Sequence, residues 1–313
     1  MLPVVLQTLS VTAPVFVMLF IGVALMRLRL IDATFIHTAS TLVFKATMPT
    51  LLFLSVIKAD LNAALQPGLL IYYVGATVGG FLLAWVWAIW RCPVADRGVY
   101  VQGAFRGNNG VVGLALATSL YGDYGLSLGG VLAGLVILLY NSLSAVVLAI
   151  YSPDGEADAG AIIRSILRNP LIIGVTAALP FAYWQIALPD WLMTSGQYFA
   201  QLTLPLALIC IGGTLSMSVL RESSSVAMSS SLMKMVWFPA LATLGAWLCG
   251  FRGAELGILF LYFGCPTASS SFVMARAVNS NHQLAATIIV ITTLGAALTI
   301  NAGLLLLGWA GWI

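Results

Sequence analysis

The 313 residues are 61% hydrophobic and only 7% charged, with mean hydropathy +1.03 and a formal net charge of +3. Soluble domains carry about 25% charged residues, so this composition excludes a water-soluble fold and makes the lipid bilayer the natural solvent. So small a net charge implies no nucleic-acid partner; the information lies in where the thirteen Lys and Arg sit.

Met1-Leu2-Pro3 leads straight into an apolar run with no basic segment before it, so no cleavable signal peptide is expected. Apolar stretches cut by Gly, Pro, Asp and Arg clusters predict ten membrane spans, near 4–26, 34–57, 68–90, 98–120, 125–150, 161–183, 191–217, 227–250, 254–278 and 283–311. Arg27, Arg29, Arg91, Arg97, Arg164, Arg168, Arg221 and Arg276 fall at odd-numbered connections, against Lys58 and Arg252 at even ones. Lys234 lies inside the eighth span, close enough to its start to snorkel toward the same side. The positive-inside rule then predicts cytoplasmic odd connections, both termini extracytoplasmic, and a multi-pass location in the cell (inner) membrane. Cys92, Cys210, Cys249 and Cys265 form no CxxC pair, and with two histidines neither a metal site nor a cofactor is expected; they read as small packing residues.

The halves of the chain resemble each other at an offset near 158 residues. Lys45-Ala46-Thr47-Met48-Pro49 pairs with Gln201-Leu202-Thr203-Leu204-Pro205, and Phe105-Arg106-Gly107-Asn108-Asn109-Gly110 pairs with Phe263-Gly264-Cys265-Pro266-Thr267-Ala268. Five spans per repeat is an odd number, so the second half enters the membrane from the opposite side. The expected organisation is a first repeat over 1–151, a short cytoplasmic linker at 152–160 and an inverted second repeat over 161–313.

The fourth and ninth spans have the least helix-compatible centres. Gly107-Asn108-Asn109-Gly110 is loop-forming, and Gly264-Cys265-Pro266-Thr267 occupies the matching place. Backbone freed in mid-membrane is tolerated only beside protein or a water-filled cavity, and paired interruptions point to a transporter binding site. Kinked packing helices are the blander reading. Freed amides at half-helix N-termini favour anions. Asn108 and Asn109 can bind a carboxylate without fixed charge, and Arg106 can neutralise one or pair with backbone carbonyls. For Lys45, four residues before Pro49, three roles stand: counter-charge to substrate, a fixed cation replacing a transported one, or a structural partner. Asn141, Thr267 and Ser269 complete the candidate binding set, against the alternative of interhelical glue.

All ten Asp and Glu fall in connections or near span ends. Coupling to protons or sodium usually uses a carboxylate buried at mid-membrane, so direct coupling is not expected, although backbone carbonyls can still bind sodium. An intramembrane enzyme is disfavoured, because His37 and His282 lie at span ends and no Gly-x-Ser-x-Gly or His-Glu-x-x-His is present.

The run Asn108-Asn109-Gly110-Val111-Val112-Gly113-Leu114-Ala115-Leu116 resembles the Asn-Thr-Gly-x-x-Gly-Leu-Pro-Leu pattern of the auxin efflux carrier family. Met48-Pro49-Thr50-Leu51-Leu52-Phe53, Asn169-Pro170-Leu171-Ile172-Ile173-Gly174, Leu204-Pro205-Leu206-Ala207-Leu208-Ile209 and Pro266 resemble it too, across essentially the whole chain. The resemblance implies an all-α membrane protein of ten transmembrane helices in two inverted five-helix repeats. Broken helices 4 and 9 would cross at Gly107, Gly110, Gly264 and Pro266, as in sodium/proton antiporters and bile-acid symporters. It also implies a scaffold of helices 1, 2, 6 and 7, kinked at Pro49 and Pro205 and often dimeric, with helices 3–5 and 8–10 as a moving transport domain. Family members move auxin in plants, and bacterial relatives are assigned to malate, malonate and similar carboxylates. Ala115 replaces the usual Pro, Gly107 stands where plant carriers have the crossover Pro, and the short central loop matches a compact bacterial-type carrier. The expected function is an elevator-type carrier of a small organic anion, held between crossover and scaffold. A bile-acid-type sodium symporter and a non-transporting ligand sensor on the same scaffold are the alternatives.

Overall fold

In the computed structural model the described residues are 14, 17, 18, 20–58, 66–152, 168, 170–214 and 224–313; they are helical, with no strand longer than an isolated bridge. Residues 153–160 of the expected linker lie outside them, as do Arg164, Arg221, Asp60, Asp154, Glu156, Asp158 and Glu222. Helix α1 covers 20–27. Helix α2 runs Ala33–Leu42, through a wide π-helical turn Val43–Thr47, into Met48–Lys58. Next come α3 (Pro67–Arg91), α4 (Arg97–Phe105) and α5, whose wide first turn Asn109–Gly113 leads into Leu114–Ile150. Then follow α6 (Pro170–Tyr183), α7 (Asp190–Gln201) and α8 (Thr203–Thr214). Helix α9 runs Ser224–Leu232, a wide turn Met233–Trp237, and Phe238–Leu248. Last are α10 (Gly253–Gly264), α11 (Ser270–Ala277) and α12 (His282–Trp309).

Local chemistry sets these boundaries. The Asp32 carboxylate caps α2 by accepting from the Phe35 amide at 2.7 Å, and the Asn281 side chain caps α12 by accepting from Leu284 at 2.9 Å. Pro67 begins α3, where its missing N–H costs nothing. Gly122 bends α5 with φ 57° and ψ −138°, a conformation closed to side chains with a Cβ, between the fourth and fifth expected spans. Both internal wide turns precede a proline, Pro49 in α2 and Pro239 in α9. An inserted residue loosens the turn there, and helix continuity survives the lost donor.

Four helical segments among the described residues are long and apolar enough to cross a bilayer: Pro67–Arg91, Ser127–Ile150, Ser225–Leu248 and His282–Trp309. At 1.5 Å per residue they reach about 36–42 Å, beyond the ~30 Å hydrocarbon core. Their outward faces are greasy. Leu82, Leu83, Val86, Trp87 and Trp90 on α3 are exposed, as are Leu298, Leu306 and Trp309 on α12. Water would penalise that surface and lipid accepts it.

Two apolar clusters divide the interior. One joins α3, α4, α5, α10 and the second half of α9 around Tyr73, Phe105, Phe263 and Phe238. The other joins α2, α8, α11 and the first half of α12 around Val43, Ile211, Phe272 and Ile288. Without a hydrophobic drive between helices in lipid, close approach at small residues matters more. A Cβ on Gly174 of α6 would lie 2.8 Å from the Pro49 carbonyl oxygen of α2, a backbone atom that cannot swing aside. Gly174→Ala is therefore expected to destabilise the protein by about 1–3 kcal/mol, read as a lower melting temperature in detergent.

Candidate functional site

Helices α4 and α10 both stop inside the expected fourth and ninth spans. The stretch after α4 is extended at Arg106, and the stretch after α10 at Cys265. The two meet as an antiparallel bridge between Gly107 and Thr267, with the Asn108 amide donating to the Pro266 carbonyl at 2.8 Å. Gly107, Gly110, Gly264 and Pro266 were expected to mark the breaks, and all four lie at or beside this contact.

Breaking a helix frees carbonyls that lipid cannot solvate, and side chains from neighbouring elements take them up. The Thr267 hydroxyl donates to Gly103 O at 2.8 Å; one turn earlier, inside α4, the Ser230 hydroxyl adds a second bond to Tyr100 O at 2.9 Å. The Lys234 ammonium donates to Phe263 O at 2.7 Å, while the Thr267 amide donates to the Thr292 hydroxyl at 3.1 Å. Thr267 is thus fixed inside the crossover as a strut.

Beside the crossover lies a cavity of about 160 Å³. One wall is Arg106–Gly110 with Val136, Tyr140 and Asn141 of α5, and the start of α11 closes it with Ala268, Ser269 and Ser270. The opposite wall is Met48, Leu51 and Leu52 of α2 with Thr203, Leu204 and Ala207 of α8. There the two expected kinks meet. The Thr203 hydroxyl, two residues before Pro205, donates to the Thr47 hydroxyl, two residues before Pro49, at 2.9 Å.

Arg106 dominates the electrostatics. It is 5% exposed, and its guanidinium donates to Asn141 Oδ1 at 2.8 Å, Ser270 Oγ at 2.7 Å and Ser144 Oγ at 3.3 Å, and contacts the Met274 thioether. Every one of these partners is neutral, and among the described residues the buried Nε has none. A charge held out of water without a counter-ion is costly, and hydrogen bonds offset only part of that cost. Asn109 is anchored otherwise: its Nδ2 donates to the Tyr73 hydroxyl at 2.5 Å, and its buried Oδ1 has no partner among the described residues.

Asn108, Asn109, Arg106, Ser269 and Asn141 of the expected set therefore line one cavity, and Thr267 does not. Lys45 stands elsewhere. Its exposed side chain borders a second cavity of about 320 Å³ with His37, Ser40, Thr41, Phe44, Arg276 and Asn279, between α2 and α11. Position along the span placed it near mid-membrane, and the rotation of α2 turns it away from the crossover. The snorkelling expected of Lys234 is overturned: it is fully buried, with its ammonium turned inward on Phe263. A carbonyl at a broken helix end gives it a better partner than a route to the surface along lipid-facing side chains. Tyr73, Tyr140, Ser144 and Ser270 carry no sequence signal of their own, because tyrosines and serines are common in apolar spans.

These features describe a multi-pass helical membrane protein with a polar cavity where broken helices meet, the kind of design that moves solutes. The profile of the family described as membrane transport protein matches residues 8–302, so the chain belongs to that family, and the resemblance to auxin efflux carriers holds. An uncharacterized transporter of Methanocaldococcus jannaschii is 23% identical over 289 residues, covering 88% of each chain. An uncharacterized transporter of Methanothermobacter thermautotrophicus is 24% identical over 266 residues, 83% of this chain and 85% of its own.

Proposed function

We propose that the protein is a secondary carrier of a small organic anion, a mono- or dicarboxylate, working by an elevator movement of the crossover past a fixed scaffold. The observation that carries this reading is Arg106, a buried cation with neutral partners and an unpartnered Nε on the wall of the crossover cavity. A carboxylate there would supply the missing counter-charge, and charge-assisted bonds are the strongest available to it. The amides at the starts of α5 and α11 border the same cavity and favour the same sign of ligand. At about 160 Å³ the space is smaller than a drug-sized pocket and suits few heavy atoms.

In this reading α1, α2, α6, α7 and α8 belong to the scaffold, through which two copies pair, and α3–α5 with α9–α12 form the mobile body. These elements make ten membrane spans in two inverted repeats, with basic connections cytoplasmic and both termini outside, in the cell (inner) membrane. Among the described residues no Asp or Glu borders the cavity, which favours transport without direct proton or sodium coupling.

The test is flux of small carboxylates and indole acids into proteoliposomes under an imposed voltage. Uptake is expected to respond to voltage and to be unchanged when sodium or a pH gradient is withdrawn. Strict need for either ion would replace this reading by a coupled symporter, and binding without flux by a ligand sensor. Asn108→Ala is expected to lower flux at least about tenfold, one charge-assisted hydrogen bond's worth, while leaving the melting temperature unchanged; wild-type flux would remove Asn108 from the site.

A further inference from the structure

We propose that Lys234 is a resident cation, occupying the place where a carrier of this design would otherwise bind a transported monovalent cation, and that it thereby frees anion movement from sodium. The proposal rests on the anion-carrier function proposed above.

The last carbonyls of a helix have no helical donor and form the negative end of its dipole. Where helices break inside a membrane, such ends and the unwound carbonyls beside them are what coordinate sodium or protons in coupled carriers. The crossover contains two of these ends, treated differently. The Gly103 carbonyl near the end of α4 is capped by a neutral hydroxyl, Thr267. The Phe263 carbonyl, one residue before the end of α10, is capped by the Lys234 ammonium at 2.7 Å.

The surroundings of Lys234 suit a cation. Its Nζ sits 5.4 Å from the centre of the Phe238 ring, within the range of a cation–π contact. A Cβ placed on Gly107 would lie 3.3 Å from Nζ and 2.3 Å from Asn109 Oδ1, so one glycine is flanked by the ammonium and by an acceptor that has no hydrogen-bond partner. Lys234 lies in the wide turn Met233–Trp237, a kind of helix distortion that recurs at functional sites. Truncating the lysine would leave the Phe263 carbonyl facing the space its ammonium fills, with Gly107 alongside. A helix-end carbonyl facing such a space is the kind of group that binds a small monovalent cation.

The test uses the full-length protein in detergent and in proteoliposomes, with Lys234→Ala and Lys234→Gln. The added cations are sodium and ethylammonium, against tetramethylammonium as the inert reference. Wild-type flux is expected to be equal in all three. Lys234→Ala is expected to lose at least about tenfold in tetramethylammonium, the worth of a charged hydrogen bond, and to recover with sodium or ethylammonium, which also raise its melting temperature. Lys234→Gln keeps an N–H donor for Phe263 without charge, and is expected to stay slow in every salt with a near-normal melting temperature. A mere helix cap would be served by glutamine, so wild-type flux in Lys234→Gln overturns the proposal. So does a Lys234→Ala protein whose flux and melting ignore both cations. Should Lys234→Ala fail to fold in tetramethylammonium, folding in ethylammonium supports the proposal and failure in both overturns it. A wild-type protein with no anion flux in any salt would sink the carrier function alone, because the ion-dependent melting of Lys234→Ala is read without flux.

Discussion

Arg106→Met is expected to cut carboxylate uptake about 100-fold, the loss of a charged hydrogen-bonded pair worth up to about 3 kcal/mol, while the protein still folds. Two opposing effects set the sign of each part. In the empty protein, the guanidinium is a buried charge whose partners are all neutral, and replacing it with an apolar chain of similar length removes a desolvation cost. That gain is offset by stranding Asn141 Oδ1 and the Ser270 hydroxyl, so the melting temperature should change little. In the loaded protein nothing offsets the loss, because the proposed anion would then enter a cavity with no fixed charge among the described residues of its wall. Arg106→Lys is the discriminating companion. It keeps the charge but not the planar fork that reaches Ser144 from one terminal nitrogen and Asn141 and Ser270 from the other, so flux should fall between wild type and Arg106→Met. Uptake by Arg106→Met at the wild-type rate would assign the guanidinium to holding α5 and α11 together and to nothing else.

Apolar runs made the helices legible, because a span must be long and greasy whatever it packs against. Loop-forming residues inside such runs, Gly107-Asn108-Asn109-Gly110 and Gly264-Cys265-Pro266, located the breaks before any contact was known, since nothing else explains Asn-Asn flanked by glycine in an apolar stretch. Depth along a span is readable in this way. Azimuth is not, and the two lysines illustrate why. Lys45 and Lys234 each sit a few residues before a proline, in wide turns, yet one faces a second, larger cavity and the other is sealed against Phe263. A wide turn shifts the helical phase by an extra residue, so a count of 3.6 residues per turn points such side chains the wrong way. Tyr73 and Tyr140 escaped notice for a related reason. Their hydroxyls matter only because the fold brings Asn109 to them, and nothing in the local sequence marks a partner 31 or 36 residues away.

Gly107→Ala is expected to disable transport and to lower stability by about 1–3 kcal/mol, the usual range for overpacking a closed site. The added methyl would stand 2.3 Å from Asn109 Oδ1 and 3.3 Å from Lys234 Nζ. Asn109 cannot retreat cheaply, being buried with its Nδ2 held by Tyr73, and Lys234 is held by Phe263. The strain therefore falls on the Gly107–Thr267 bridge, the contact that aligns the two broken helices. Gly110→Ala is the control three residues on. A Cβ there meets nothing within 4 Å, and the residue borders the same cavity, so its melting temperature should match wild type. If melting in detergent ranks Gly107→Ala with Gly110→Ala, the crossover yields more readily than its hydrogen bonds imply. The close approach of Asn109 and Lys234 around Gly107 would then have no part in setting the alignment of the half-helices.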